Sequence, residues 1–596
     1  MNLFHAELFN FLQQSAKKHL ISEGIDAASD NEFLQLEKVL KPTSADVQVP
    51  LSEILESYEN ILVDKRSFPV EGKLIGSFSE REFKKLDLAY PKMCRGLPRI
   101  YRKGRPSESH IKKSFSHLPT LRRAFIEKAL YSLYDQILID SSVKITLFTW
   151  VIRDGLGDYM AALEAADILR KRFPRLKVAI VALVSIDAKV AEDVPVHLIR
   201  YDKKCPLSLI PPEALQEMLS SDLILQMPTF YPETAELIHL LQNMKGRSPC
   251  PKMEILGEYG FIESSWFHPR TENRSMGLHF LEKGVMIREK KKKTLFDLKD
   301  EKLKMLLFEG NAEGYLATHR LYLAYLATKM GGAVYLHALL KSKENDPLPI
   351  DICTPDIKWF VEFVDGQNSQ GLPVLAFEAN VGSIEVHFQD QIYSVTAGKG
   401  TKKVRLICPG TLNSADFQTL LSASEEFVGV RGNQSFSEAV SQEKVFFYDG
   451  REHSRYFLKD LLALAENRLS SYPKALVCLR GMGKAFYSHM PQDEGEWVDE
   501  TAFQERSDWV EIALEIGRAL QDGEAIRGCK RLSKIIREEY SCNDFLCHIL
   551  QRALCHRKWP EIEELEKERL SSFLLGSISF PSLVQDMKSA ILRKTP

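Results

Sequence analysis

From Lys144 onward, short apolar runs rich in β-branched residues alternate with stretches of helical periodicity, and that alternation restricts the chain to parallel sheets covered by helices on both faces. ITLFTWV, KVAIVALV, VPVHLIRY and DLILQMP are the first four runs, separated by helical stretches that include 158–172, 213–221 and 233–243. The pattern fades between 260 and 303 and then resumes. LKMLLFEG, AVYLHALL, PVLAFEA, VRLICPG, EFVGVRG and KVFFYDG read as strands of a second sheet, with helices at 313–330, 415–423 and 434–442. Residues before about 140 and after about 476 carry apolar residues every three to four positions, as helices do. The expected fold is α/β, with two Rossmann-like doubly wound domains and additional helical regions at both ends. A helical accessory region at 1–140, an α/β domain at 141–300, a second at 301–475 and a helical region at 476–596 make up the expected layout.

A chain of 596 residues is too long for one core. Its 79 Lys and Arg nearly balance 81 Asp and Glu, so there is no bulk electrostatic case for binding nucleic acid. The run Lys290 to Lys293 is the one dense basic patch and reads as a solvated loop between domains. No stretch approaches about 18 uninterrupted apolar residues, and the amphipathic N-terminus is not built as a signal peptide, so no membrane span is expected. Ten cysteines without a CxxC pair read as reduced thiols and point to the cytoplasm, while export by a route that reads other signals stays open. Cys542, Cys547, His548, Cys555 and His556 cluster without the spacing of a zinc finger, and no metal is expected.

In doubly wound domains ligands sit at the carboxyl ends of strands, so the loops that follow strands, and a cleft between two such domains, are where chemistry is expected. The first such loop is RDGLGDYM. Gly155 and Gly157 resemble a phosphate cradle, but Met160 stands where a dinucleotide fingerprint needs its third glycine. Asp158, in the first turn of the next helix, would repel phosphate there. The glycines then serve close backbone approach to an acceptor substrate, while Asp154 and Asp158 bind and orient a hydroxyl, amine or guanidinium nucleophile. The bland reading is a tight turn at Asp154 and a helix cap at Asp158.

The second loop, Arg431-Gly432-Asn433-Gln434-Ser435-Phe436, follows a strand, opens a helix and carries no acid until Glu438. Helix amides, the Ser435 hydroxyl and Arg431 together suit a diphosphate. Asn311 is a further candidate on the anion side, and Glu258 and Tyr259 are candidates on the side of Asp154 and Asp158. Asp449 ends the last strand, where it either faces the ligand or begins a turn.

The order of the domains resembles that of GT-B glycosyltransferases. GLGDYMAALEAADILRKRFPRLKVAIV resembles the opening segment of heptosyltransferases, and the short motifs are most similar to those of the enzymes that rhamnosylate an arginine of elongation factor P. That family opens with Asp-Asn-Phe-Gly-Asp where this chain has Asp154-Gly155-Leu156-Gly157-Asp158. Its Arg-Gly-Glu-Asp-Ser-Phe corresponds to Arg431 to Phe436, with Asn433 and Gln434 in place of the two acids. The resemblance implies an inverting, metal-independent transfer of a sugar from a nucleotide-sugar donor, with no separate cofactor, to an acceptor such as a protein side chain. Two other readings remain: an epimerase of the same shape, using Glu438 and His453 as an acid/base pair, and a non-catalytic interaction protein.

Overall fold

The computed structural model describes residues 130–137, 143–151, 157–184, 195–200, 211–227, 252–257 and 259, and between 274 and 594 all but 356–379, 489–496, 499–507 and scattered shorter stretches. The expected helices before 130, the helix at 233–243 and the strand PVLAFEA lie outside the described residues. The chain divides into two compact units, one comprising Met1–Glu258, Ser264–Lys283 and Cys542–Pro596, the other Tyr259–Glu263 and Gly284–Ser541.

In the first unit the strands β1 (Lys144–Val151), β2 (Lys177–Val184), β3 (Val196–Arg200), β4 (Leu223–Gln226), β5 (Lys252–Gly257) and β6 (Arg274–Ser275) form a parallel sheet in the order β3-β2-β1-β4-β5-β6. This is the Rossmann order, with its reversal between β1 and β4. Leu147 faces Ile180 across β1 and β2, both fully buried, as β-branched and aliphatic strands covered on both faces require. Helix α1 (Gly157–Arg172) links these strands and presents Ala161, Ala162, Ala165 and Ala166 to them, small side chains that let a helix lie close on a sheet. Helix α2 (Pro212–Leu219) leads into β4.

The second unit begins with helices α3 (Glu301–Phe308) and α4 (Ala312–Thr318), which precede strand β7 (Arg320–Leu323). Helix α5 (Lys329–Ser342) then crosses to β8 (Ile350–Cys353). A hairpin of β9 (Val381–Phe388) and β10 (Gln391–Thr396) leads to β11 (Lys402–Cys408), followed by α6 (Ser414–Ala423), β12 (Phe427–Arg431), α7 (Gly432–Ser441) and β13 (Val445–Asp449). Five strands run β10-β9-β11-β8-β7, and β12 pairs with β13. The Glu425 amide donates to the Leu321 carbonyl at 2.8 Å and the Tyr325 amide to that of Gly429 at 2.9 Å, which joins β7 to β12 and continues the sheet. Its reversal falls between β7 and β12. Helices α8 (Arg455–Arg468), α9 (Pro473–Phe486), α10 (Trp509–Leu520) and α11 (Gly523–Glu539) complete this unit.

Three expectations for this unit are corrected. Leu303 to Phe308 of LKMLLFEG lie in α3 and AVYLHALL lies within α5, both helices where strands are expected, and the helix expected at 313–330 is interrupted by β7. Every residue of α5 from Met330 to Leu340 is buried, so the helix has no polar face to reveal its period. The strand IDIC is hidden for the opposite reason. Its fully buried Asp351 accepts from Arg405 Nε at 2.7 Å and from the Tyr315 hydroxyl at 2.6 Å, a polar triad inside the sheet.

The final helices, α12 (Asn543–Lys558), α13 (Pro560–Leu574) and α14 (Phe580–Lys594), belong to the first unit. They are tied to the segment Ser132–Gln136 by a buried polar network. Arg552 Nε donates to Glu566 at 3.0 Å, His556 Nε2 stands 3.2 Å from the same carboxylate and 2.9 Å from the Tyr134 hydroxyl, and Arg552 also lies 3.8 Å from Glu254 on β5. His548 pairs instead with Asp135. Among the described residues no group of three or more His, Cys, Asp or Glu is placed to hold a metal ion.

Burial alone would raise the Glu566 carboxyl, but the Arg552 guanidinium and the His556 hydrogen bond outweigh it and hold the group well below the usual range. Because the folded value is depressed, this stabilisation is complete above the unfolded value of about 4.3 and is lost as pH falls through the folded one. Glu566→Ala, which strands the Arg552 charge, is expected to cost about 3–5 kcal/mol in urea unfolding at neutral pH. The wild-type advantage over this variant shrinks on acidification.

Candidate functional site

The carboxyl ends of β7, β12 and β13 meet where the second sheet reverses, and the turns that follow them hold the candidate residues of this unit. Arg431 closes β12 with extended backbone angles and serves as the N-cap of α7, but its side chain makes no capping bond. Gly432 follows with φ 71°, in the left-handed region that glycine tolerates, and a Cβ placed on it would have no atom within 4 Å. The helices α4, α5, α6 and α11 differ in this respect. Asn311, Thr328, Asn413 and Asp522 cap them by accepting from the backbone amides of Gly314, Gly331, Asp416 and Glu524 at 2.8–3.0 Å. The α7 N-terminus therefore combines an open glycine, a helix dipole and a half-buried arginine whose guanidinium no described residue hydrogen-bonds.

The rest of the motif faces inward. The Ser435 hydroxyl accepts from the Arg431 amide at 2.9 Å and donates to the Arg431 carbonyl at 2.5 Å, closing the turn on itself. Phe436 is fully buried among Phe446, Tyr448 and Phe457, with ring centroids 4.9–5.8 Å away. Asn433 and Gln434 are half-buried in the first turn of α7. Glu438 is buried, with Arg288 at 3.3 Å.

Asp449 stands opposite Arg431 in the β12–β13 register and is buried. Its carboxylate accepts from the Ala327 amide at 2.7 Å, the Thr328 amide at 3.0 Å and the Thr328 hydroxyl. Any side chain at Gly331 would run into this carboxylate and the Thr328 hydroxyl, so glycine there is what lets the three groups close up. Burial pushes the Asp449 carboxyl up to about 6, against the pull of the Thr328 and Ala327 hydrogen bonds and the Arg431 charge. The carboxylate links the end of β13 to the start of α5. Thr328 is not legible in the sequence: its signal, a threonine three residues before glycine at a helix start, is hidden because AVYLHALL reads as a strand. Beside it, half-buried Tyr325 meets the Phe417 ring edge-on, with centroids 5.9 Å apart.

Asn311 is exposed and spends its side chain on the α4 cap. Tyr259 is buried within the second unit, its hydroxyl 2.9 Å from Ser437 Oγ on α7 and accepting from the Met286 amide at 3.2 Å. In the first unit, Gly157 and half-buried Asp158 form the first turn of α1, directly after β1 at the sheet reversal. Asp154, Gly155 and Glu258 lie outside the described residues, as does the side chain of His453.

No family model matches the chain, and no curated protein matches it. Among solved structures it is similar to a glycosyltransferase from Rickettsia africae, with 11% identity, 70% of this chain and 99% of that one covered, and a TM-score of 0.38. An alpha-glucosyltransferase in complex with UDP-glucose and DNA containing an abasic site gives 10% identity, 69% and 98% coverage and 0.34. The E. coli heptosyltransferase WaaC with ADP gives 10% identity, 51% and 87% coverage and 0.25.

The positive φ at Gly432, with space around it, separates backbone strain from side-chain clash. Gly432→Ala is expected to lower stability by about 1 kcal/mol through the backbone alone, measured by chemical unfolding, and the larger residue Val should cost more.

Proposed function

We propose that the chain is a GT-B-type glycosyltransferase whose second unit holds the diphosphate of a nucleotide-sugar at the N-terminus of α7. The observation that carries this reading is the arrangement of Arg431 and Gly432: a guanidinium with no hydrogen-bond partner among the described residues beside an open, left-handed glycine at the start of a helix. Helix N-termini attract anions, and a planar guanidinium binds phosphoryl oxygens in pairs. Tyr325 and Phe417, at the same ends of the sheet, supply aromatic surface for the base.

In the proposed reaction the acceptor nucleophile attacks the anomeric carbon from the side opposite the diphosphate, which inverts the configuration. The bond from that carbon to the β-phosphate oxygen breaks and its electron pair leaves on the nucleoside diphosphate, where Arg431 and the α7 terminus stabilise the charge. On the motif resemblance, Asp158 or Asp154 takes the proton of the nucleophile. No divalent ion is needed for this scheme, and a protein side chain is the acceptor we favour, on the motif resemblance. The epimerase reading is weaker, because Glu438, the acid it would use, is buried against Arg288.

Thermal unfolding against UDP, dTDP, GDP, ADP and their sugar conjugates tests the reading. A ligand present at about 100 times its Kd should stabilise the fold by about 2.7 kcal/mol. Arg431→Ala is expected to weaken that ligand about 10- to 100-fold, the worth of a charged hydrogen bond. Asp154→Asn and Asp158→Asn should leave nucleotide binding intact while abolishing transfer. Failure of every nucleotide to bind would remove the proposal.

A further inference from the structure

Two helices begin beside each other at the sheet reversal, α5 after β7 and α7 after β12, the two strands being joined through Tyr325 and Gly429. Both N-termini would attract a phosphoryl group on electrostatic grounds. They are not equivalent, because the Asp449 carboxylate already accepts from the Ala327 and Thr328 amides at the start of α5. Resting on the nucleotide reading above, we propose that Asp449 is a specificity-determining residue of that site: its carboxylate plugs the α5 N-terminus, confines the anion to α7, and offsets Arg431 so that the diphosphate is held loosely enough to leave.

Several features of the structure support this. The carboxylate is buried and carries three donors, so it is fixed in place rather than swinging into solvent. Arg431 lies opposite it in the strand register, and the guanidinium charge acts on it. The other groups packed against it, the Thr328 hydroxyl, two backbone amides and Gly331, carry no charge, and Lys329 begins α5 beside them. A dianion arriving at the α7 terminus therefore meets the positive charge of Arg431 reduced by a neighbouring carboxylate. Anion binding must then favour the protonated form of Asp449, and by linkage the affinity depends on pH where Asp449 titrates.

The test compares wild type with Asp449→Asn, which is nearly isosteric, using whichever of UDP, dTDP, GDP or ADP stabilises the wild type most. Affinity is measured by calorimetry from pH 5 to 7.5. The proton uptake of the nucleotide itself is common to both proteins, so the ratio of their dissociation constants isolates Asp449. At pH 7.5 the variant is expected to bind roughly three- to tenfold tighter, as removal of one nearby like charge implies. The ratio should fall toward unity below about pH 6, where the wild-type carboxyl becomes neutral. A ratio that is flat with pH, or a variant that binds more weakly throughout, overturns the proposal and leaves Asp449 a structural cap. Thr328→Val gives a second reading should the first variant fail to fold. Losing a hydrogen bond to the charged carboxylate should move the midpoint of the pH dependence upward, and Thr328→Ser should restore it; no movement counts against the proposal. If no nucleoside diphosphate binds the wild type, the nucleotide reading itself falls, a different result from unaltered pH behaviour.

Discussion

A parallel strand can be followed by its neighbour only through a crossover, and α1 makes it between β1 and β2, α5 between β7 and β8, and α7 between β12 and β13. Each helix then starts at the carboxyl edge of the sheet, with amides that have no partner inside the helix. The sequence must supply an acceptor for each of these ends or leave it for a ligand. In the second unit this requirement determines the positions of Asn311, Thr328, Asn413 and Asp449, all of them polar groups turned back onto backbone amides. The first unit spends Asp158 in the first turn of α1, where the helix dipole already favours a carboxylate.

The α7 terminus has no side-chain cap, unlike those of α5 and α6 on the same sheet, and its surroundings explain how it persists. Arg431 cannot cap a helix, since a guanidinium only donates. Gly432 takes a backbone angle that other residues resist, and β12 and β13 hold Arg431 and Asp449 side by side. An end of this kind carries unspent positive potential. Placing a buried carboxylate one strand away moderates that potential without abolishing it, since Asp449 spends most of its hydrogen-bonding capacity on α5.

What could be read in the sequence follows the same physics. Strands such as KVAIVALV, buried from Val178 to Leu183, and VFFYD, buried throughout, are legible as short β-branched or aromatic runs, and the helices α1, α2, α6 and α7 as periodic segments. The first half of the second sheet is not legible, because its helix α5 is apolar on every side and its strand β8 carries a buried aspartate. Missing those two elements displaces β7 as well, and with it the turn at Ala327 and Thr328. The loop after β12 is visible in the sequence, but its neighbour across the reversal is not. No periodicity reports that Asp449, 121 residues beyond Thr328, caps the helix that Thr328 begins.

The motif at 431–436 divides into two parts with different duties. Ser435 and Phe436 look in the sequence like ligand contacts, yet the Ser435 hydroxyl bonds back to the Arg431 amide and carbonyl and Phe436 is sunk in an aromatic cluster. Their work is to fix the backbone of Arg431 and the axis of α7, so that little freedom remains to be lost when a ligand arrives. A rigid turn of this kind binds through preorganisation, since the ordering cost is met in folding rather than in association. The Ser-Phe half of the motif is thus the reason the Arg-Gly half can face outward, and a likeness confined to one half would carry the shape of the site without its chemistry.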